Sequence, residues 1–106
     1  MKITKLNSFK GGWFIGNFEP TLLKTKDFEV AVHHYKKGQI HDSHYHLLAT
    51  EYNYLVSGTM KIQNILLNPG DLFIIEPKEI ADPIFLEDCV VVIVKTPSVP
   101  GDKYLV

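Results

Sequence analysis

The sequence predicts an all-β fold, an antiparallel sandwich or barrel with little or no helix, on three observations. Turn signals punctuate the chain throughout: Gly11-Gly12, Pro20, Lys36-Lys37-Gly38, Ser57-Gly58, Asn68-Pro69-Gly70-Asp71, Glu76-Pro77, Asp82-Pro83 and Pro100-Gly101. The segments between them have strand length and alternate in polarity with a period of two. Apolar residues rarely recur at helical spacing. Short strands with frequent turns build sandwiches and barrels.

In chain order, Phe28, Val30 and Val32 alternate with Glu29 and His33, as in a half-buried strand. Met60 and Ile62 alternate with Lys61 and Gln63 in the same way, and Leu72-Phe73-Ile74-Ile75 lies between two turn signals. Cys89-Val90-Val91-Val92-Ile93-Val94 is apolar on both faces and mostly β-branched, so it reads as a central strand covered on each side. The stretch from Thr96 to Val106, with Pro97 and Pro100, is expected to pack along the surface or against another subunit. At 106 residues, without repeats or linkers, the chain is expected to form one domain over 1–106.

Composition narrows the function. Eleven lysines, no arginine and twelve acidic residues give a net charge of -1, so no basic field exists to neutralise a row of phosphates, and nucleic acid is excluded as a partner. Without arginine the chain has no guanidinium fork for bidentate recognition of carboxylate or phosphate. The longest apolar run, Cys89 to Val94, is six residues, against the roughly 18 to 20 needed to cross a bilayer, so no membrane span is expected. The start lacks the apolar stretch of a secretory signal, and the single Cys89 cannot form an internal disulfide, which points to a reducing cytoplasm.

All five histidines lie between His33 and His46. On a strand, residues two apart share a face with Cα atoms roughly 6.5 to 7 Å apart, so His44 and His46 can aim both rings at one ion. On a helix the same pair would diverge by about 200°. Glu51 follows His46 by five, an odd offset, and joins the pair only if residues 47–50 turn a corner into a new strand. Two imidazoles and a carboxylate suit a divalent ion, Fe, Mn, Zn or Ni, with coordination positions left open for substrate, water or dioxygen. The alternative is a set of exposed histidines on a surface hairpin, paired with water and Asp42.

Residues 38–58 resemble the first motif of the cupin superfamily, in which a glycine, His-x-His, a glutamate and a second glycine recur at fixed spacing. Here these are Gly38, His44, His46, Glu51 and Gly58, with no insertion. A degenerate second motif covers 70–86: Gly70-Asp71 and Pro77 are present, but Asp82 stands where the resemblance expects a fourth histidine. The likeness spans Asp27 to Lys95. It implies a small β-barrel or jelly roll with a metal inside, a corner between His46 and Glu51, and a homodimer. Asp82 is then either a fourth metal ligand favouring Mn or Fe, or a turn residue before Pro83 with its side chain in solvent.

Alternation places Asn53 and Leu55 on the side of Glu51, with Asn53 a candidate substrate donor, and turns Tyr52, Tyr54 and Val56 away. Tyr45, between the two imidazoles, points away from them. His34, in phase with Phe28, Val30 and Val32, is expected to face inward as a candidate proton shuttle. Trp13, Phe14, Phe18, Phe73 and Phe85 either wall a cavity or are ordinary core. Cys89 is expected to be an inert thiol, and no Ser-His-Asp or Cys-His set is recognisable. The leading functional reading is a metal-dependent enzyme, a dioxygenase, isomerase or lyase acting on a small polar metabolite. The second is a non-catalytic domain that binds or senses a small molecule, and the third a structural dimer.

Overall fold

A computed structural model describes all 106 residues, Met1–Val106. Ten strands follow in order: β1 (Trp13–Ile15), β2 (Glu29–Tyr35), β3 (His44–Tyr45), β4 (Thr50–Ser57), β5 (Met60–Ile62), β6 (Ile65–Leu67), β7 (Leu72–Ile75), β8 (Ile84–Phe85), β9 (Cys89–Thr96) and β10 (Tyr104–Leu105). The only helical turns are two three-residue 3₁₀ segments, Leu6–Ser8 and Lys10–Gly12. The all-β expectation therefore holds. No helix is long and apolar enough to cross a membrane.

Three sheets form, with strand orders β1-β2-β9-β4-β7, β6-β5-β8 and β10-β3, and every ladder is antiparallel. The core lies between the large sheet and the three-stranded one: Leu55, Ile75, Val91 and Ile93 from the first meet Met60, Ile62 and Phe85 from the second. Cross-strand register sets what the large sheet offers on its inner face. One row runs Glu29, Lys95, Glu51, Ile75; the next runs Ala31, Ile93, Asn53, Phe73. Within a row all side chains project the same way, because the pleat is shared across the ladder.

Two expectations need correction. On β2 the phase is inverted: Glu29 and Ala31 are buried and His34 is exposed, while Val30 and Val32 are only half-buried on the outer face. Polarity misled here because the inner face of this strand borders the polar site, so its larger aliphatic residues, Val30 and Val32, are the outward ones. The second correction concerns β9. It is central, between β2 and β4, but only Cys89, Val91 and Ile93 are buried; Val90, Val92 and Val94 are half-covered.

Local devices close the sandwich. Gly58, which ends the first motif, has φ +83, and a Cβ there would stand 2.1 Å from the Asp88 carbonyl oxygen. No other residue fits. Between β5 and β6 the two-residue loop Gln63-Asn64 has φ of 52 and 61, the left-handed pair of a tight hairpin. The Gln63 N–H donates to Asp82 Oδ1 at 2.7 Å. The stretch after β9 returns along the same chain: Tyr104 pairs with Tyr45 and Leu105 with His44, and the two tyrosine rings stack at 5.4 Å.

Candidate functional site

His44 lies in β3 and His46 just beyond it, and their extended backbone sends both rings to one side, with centroids 5.2 Å apart. Leu47–Ala49 then turn the corner, and Glu51 enters as the second residue of β4. The ligand atoms of His44, His46 and Glu51 all lie within 4.8 Å of one another. His46 Nε2 is 3.2 Å from Glu51 Oε2, the separation of two neighbouring ligands that each sit about 2.1 Å from one ion. Both histidines are buried, at 7% and 4% exposure.

Each imidazole is oriented through its other nitrogen. His44 Nδ1–H donates to the Asp42 carbonyl at 3.1 Å, and His46 Nδ1–H donates to the Asp102 carbonyl. Both Nε2 lone pairs are thereby left for the cavity, as metal-binding histidines require. Burial holds His44 below its ordinary pKa, which keeps the ring neutral. For Glu51, burial pushes the pKa up, but His46, which donates to it when the ring is charged, and the positive charges around it, among them the Lys95 ammonium, outweigh burial and hold the carboxyl below the usual range. A buried carboxylate beside two imidazoles whose Nε2 atoms approach it fits a divalent cation of the Fe, Mn, Zn or Ni type.

The donors face a cavity of about 130 Å³ between the sheets, roughly four waters' worth of liquid volume. Asn53 lines it, 4% exposed, and its Nδ2 has no hydrogen-bond partner. His33 also lines it and joins Tyr35 through a short contact between Nδ1 and the phenol oxygen. Burial lowers the His33 pKa to about 4, the charge of Glu51 opposing only in part. Burial, reinforced by Glu51, pushes the Tyr35 phenol up. The phenol therefore keeps its proton, and the His33 ring is tied to it through Nδ1 while its Nε2 has no partner. Lys95 and Lys103 complete the rim. Lys95 stands 4.8 Å above the Trp13 ring and pairs with Glu29 at 2.8 Å, and the Ser98 hydroxyl donates to the other Glu29 oxygen at 2.7 Å.

Of the residues singled out from the sequence, His44, His46, Glu51 and Asn53 share this cavity. Asp82 does not: it is exposed, and its carboxylate serves the Gln63 N–H as a turn residue. His34 is exposed and takes no part in the cavity; His33 occupies the inward position instead. Trp13, Phe73 and Phe85 line the hollow, Phe14 and Phe18 do not. Tyr35, His41 and Lys95 were not anticipated. The first and last could be found only once the phase of β2 and the register of β9 are known, whereas His41 is a histidine three residues before the pair.

No protein-family model matches the sequence, and no curated protein matches it. Solved structures do match the fold. An uncharacterised protein with a double-stranded β-helix domain from Klebsiella pneumoniae is 23% identical, covering 98% of this chain and 90% of that one, with a TM-score of 0.71. A cupin-2 domain protein from Shewanella frigidimarina is 22% identical over 69% and 72% of the two chains, with a TM-score of 0.56. The DMSP lyase DddQ from Ruegeria pomeroyi is 15% identical, over 88% of this chain and 49% of that one, with a TM-score of 0.70. At these identities the likeness is one of fold.

Proposed function

We propose, from the cupin fold of this chain and the convergence of His44, His46 and Glu51 in its cavity, that the protein holds a divalent metal ion and is an enzyme acting on a small polar metabolite. The observation that carries the reading is the approach of three buried ligand atoms to within 4.8 Å of one another at the wall of a hollow. When bound, such an ion supplies Lewis acidity toward a substrate oxygen.

The chain's own residues supply the rest. Asn53 offers an unpaired amide N–H to a substrate oxygen. The Tyr35 hydroxyl, held by a neutral His33, is the group that can hold or pass a proton at its Oη. Ile62, Phe73 and Ile93 exclude water. A proton-moving pair beside a Lewis-acid site favours isomerase or lyase chemistry over the dioxygenase reading. A second reading, a domain that binds or senses a small molecule without turning it over, is favoured by the position of Asp82, which leaves three protein ligands and no fourth. We read the outer face of the large sheet as the seat of a second copy, giving a homodimer.

Metal analysis of the purified protein, with melting curves before and after chelation, tests the central reading. A bound ion at about 100 times its dissociation constant adds about 2.7 kcal/mol, a shift on the order of 10 °C for a chain of this size. His44→Ala abolishes the shift. No bound metal together with an unchanged His44→Ala melt refutes the reading.

A further inference from the structure

The corner that brings Glu51 to the imidazoles contains no glycine or proline, and nothing within it fixes its shape. Its three backbone N–H groups all end on one carboxylate. Leu47 N–H donates to Asp102 Oδ1 at 2.9 Å, Leu48 N–H to Oδ2 at 3.1 Å and to Oδ1 at 3.3 Å, and Ala49 N–H to Oδ2 at 2.9 Å. The backbone carbonyl of the same residue accepts from His46 Nδ1. Asp102 is 6% exposed, and 56 positions separate it from His46. It lies outside both sequence motifs, two residues before β10, which pairs with the histidine strand β3.

We infer that Asp102 is a positioning residue for the metal centre, setting its affinity by holding the 47–49 corner and the His46 ring at once. This rests on the metal reading above. The carboxylate anchors the corner through charge-assisted hydrogen bonds, which are about twice as strong as neutral ones. Anchoring also fixes where the Asp102 carbonyl stands, and that carbonyl selects the His46 tautomer with Nε2 free. One side chain thus governs both the distance from His46 to Glu51 and the aim of the ring. Coupling of this kind is reciprocal: the factor by which the clamp raises metal affinity is the factor by which metal closes the clamp.

Zinc titration by calorimetry, on the parent and on Asp102→Ala and Asp102→Asn, reads the effect at a temperature where circular dichroism shows each folded. Asp102→Ala weakens zinc binding about 10- to 100-fold, the range found when outer partners of metal ligands are removed. Asp102→Asn, which keeps an acceptor for Leu47 and Leu48, falls between. Nitrogen NMR of His46 shows one tautomer in the parent and a mixture in Asp102→Ala, which a merely stabilising role would not produce. In the parent itself, zinc slows hydrogen exchange at the Leu47, Leu48 and Ala49 amides tenfold or more, a readout independent of any variant. Affinity within twofold of the parent in Asp102→Ala, or corner amides that exchange equally fast with and without zinc, overturns the inference while leaving the metal reading intact. A parent that takes up no metal overturns the metal reading first.

Discussion

Glu51 and Lys95 are direct cross-strand partners of β4 and β9, yet the Lys95 ammonium turns away to Glu29. Opposite charges at such positions ordinarily pair. Here Glu29, itself held by Ser98, takes the cation, and Glu51 is left to His46.

Removing that diversion frees the lysine to compete for Glu51. Glu29→Gln is therefore expected to weaken metal binding about tenfold, about 1.4 kcal/mol, with Glu51 still in place. The test is a zinc titration of the variant; an unaltered affinity means Lys95 does not reach across.

Asn53→Leu separates binding from stability. The Nδ2 group is buried without a partner, so replacing it by an apolar side chain of similar size costs the ligand-free protein nothing or stabilises it by about 1 kcal/mol. Turnover or ligand affinity falls by at least tenfold. A urea titration showing marked destabilisation would instead assign the amide a structural role.

The pH dependence of the chelated protein follows from His33. Its pKa is about 4 in the fold and 6.5 in the unfolded chain. Above pH 6.5 both states are neutral and the full stability is present. Between pH 6.5 and 4 the unfolded chain takes up a proton that the native state refuses, and stability falls by about 3 kcal/mol when the change is complete. His44, also lowered by burial, acts in the same direction. Urea midpoints at pH 7.5 and 5.0 should differ accordingly, and less so in His33→Phe; equal slopes in the two proteins would rule His33 out as the cause.

The two carboxylates near the motifs should behave oppositely. Asp82→Ala keeps metal affinity within twofold and costs about 1 kcal/mol of stability through the lost bond to Gln63. Glu51→Ala abolishes tight binding. Side-by-side calorimetry decides, and an Asp82→Ala variant that fails to bind zinc would restore Asp82 as a ligand.

On the outer face of the large sheet the register aligns Leu72, Tyr54, Val92 and Val32 in one row and Ile74, Tyr52, Val94 and Val30 in the next. Tyr52, Tyr54, Leu72 and Ile74 are all exposed. A contiguous apolar surface of this kind is rarely left open to water. Light scattering should give twice the chain mass of 12.1 kDa, and Tyr54→Glu should halve it. A monomeric parent removes the dimer reading.

The sequence carried much of this because its signals were local. The odd offset from His46 to Glu51 made a corner a condition of the site, the motif resemblance of residues 38–58 supplied that corner, and the alternation along β4 put Asn53 inside. Where a strand was apolar on one side and chemically functional on the other, polarity pointed the wrong way, which is how His34 came to stand for His33. β3 and β10 have two residues each, too few to show any period. Asp102 gave no signal at all, since its partners are backbone groups more than fifty positions away.

The imidazole strand β3 belongs to the two-stranded sheet, while Glu51 belongs to the five-stranded one. A cation gripped by all three side chains is thus a rivet between the two sheets, added to the 47–49 corner that already runs from one to the other. Occupancy by an ion would then tie the small sheet of β3 and β10 to the large one at the wall of the hollow, where His44 and Glu51 face each other.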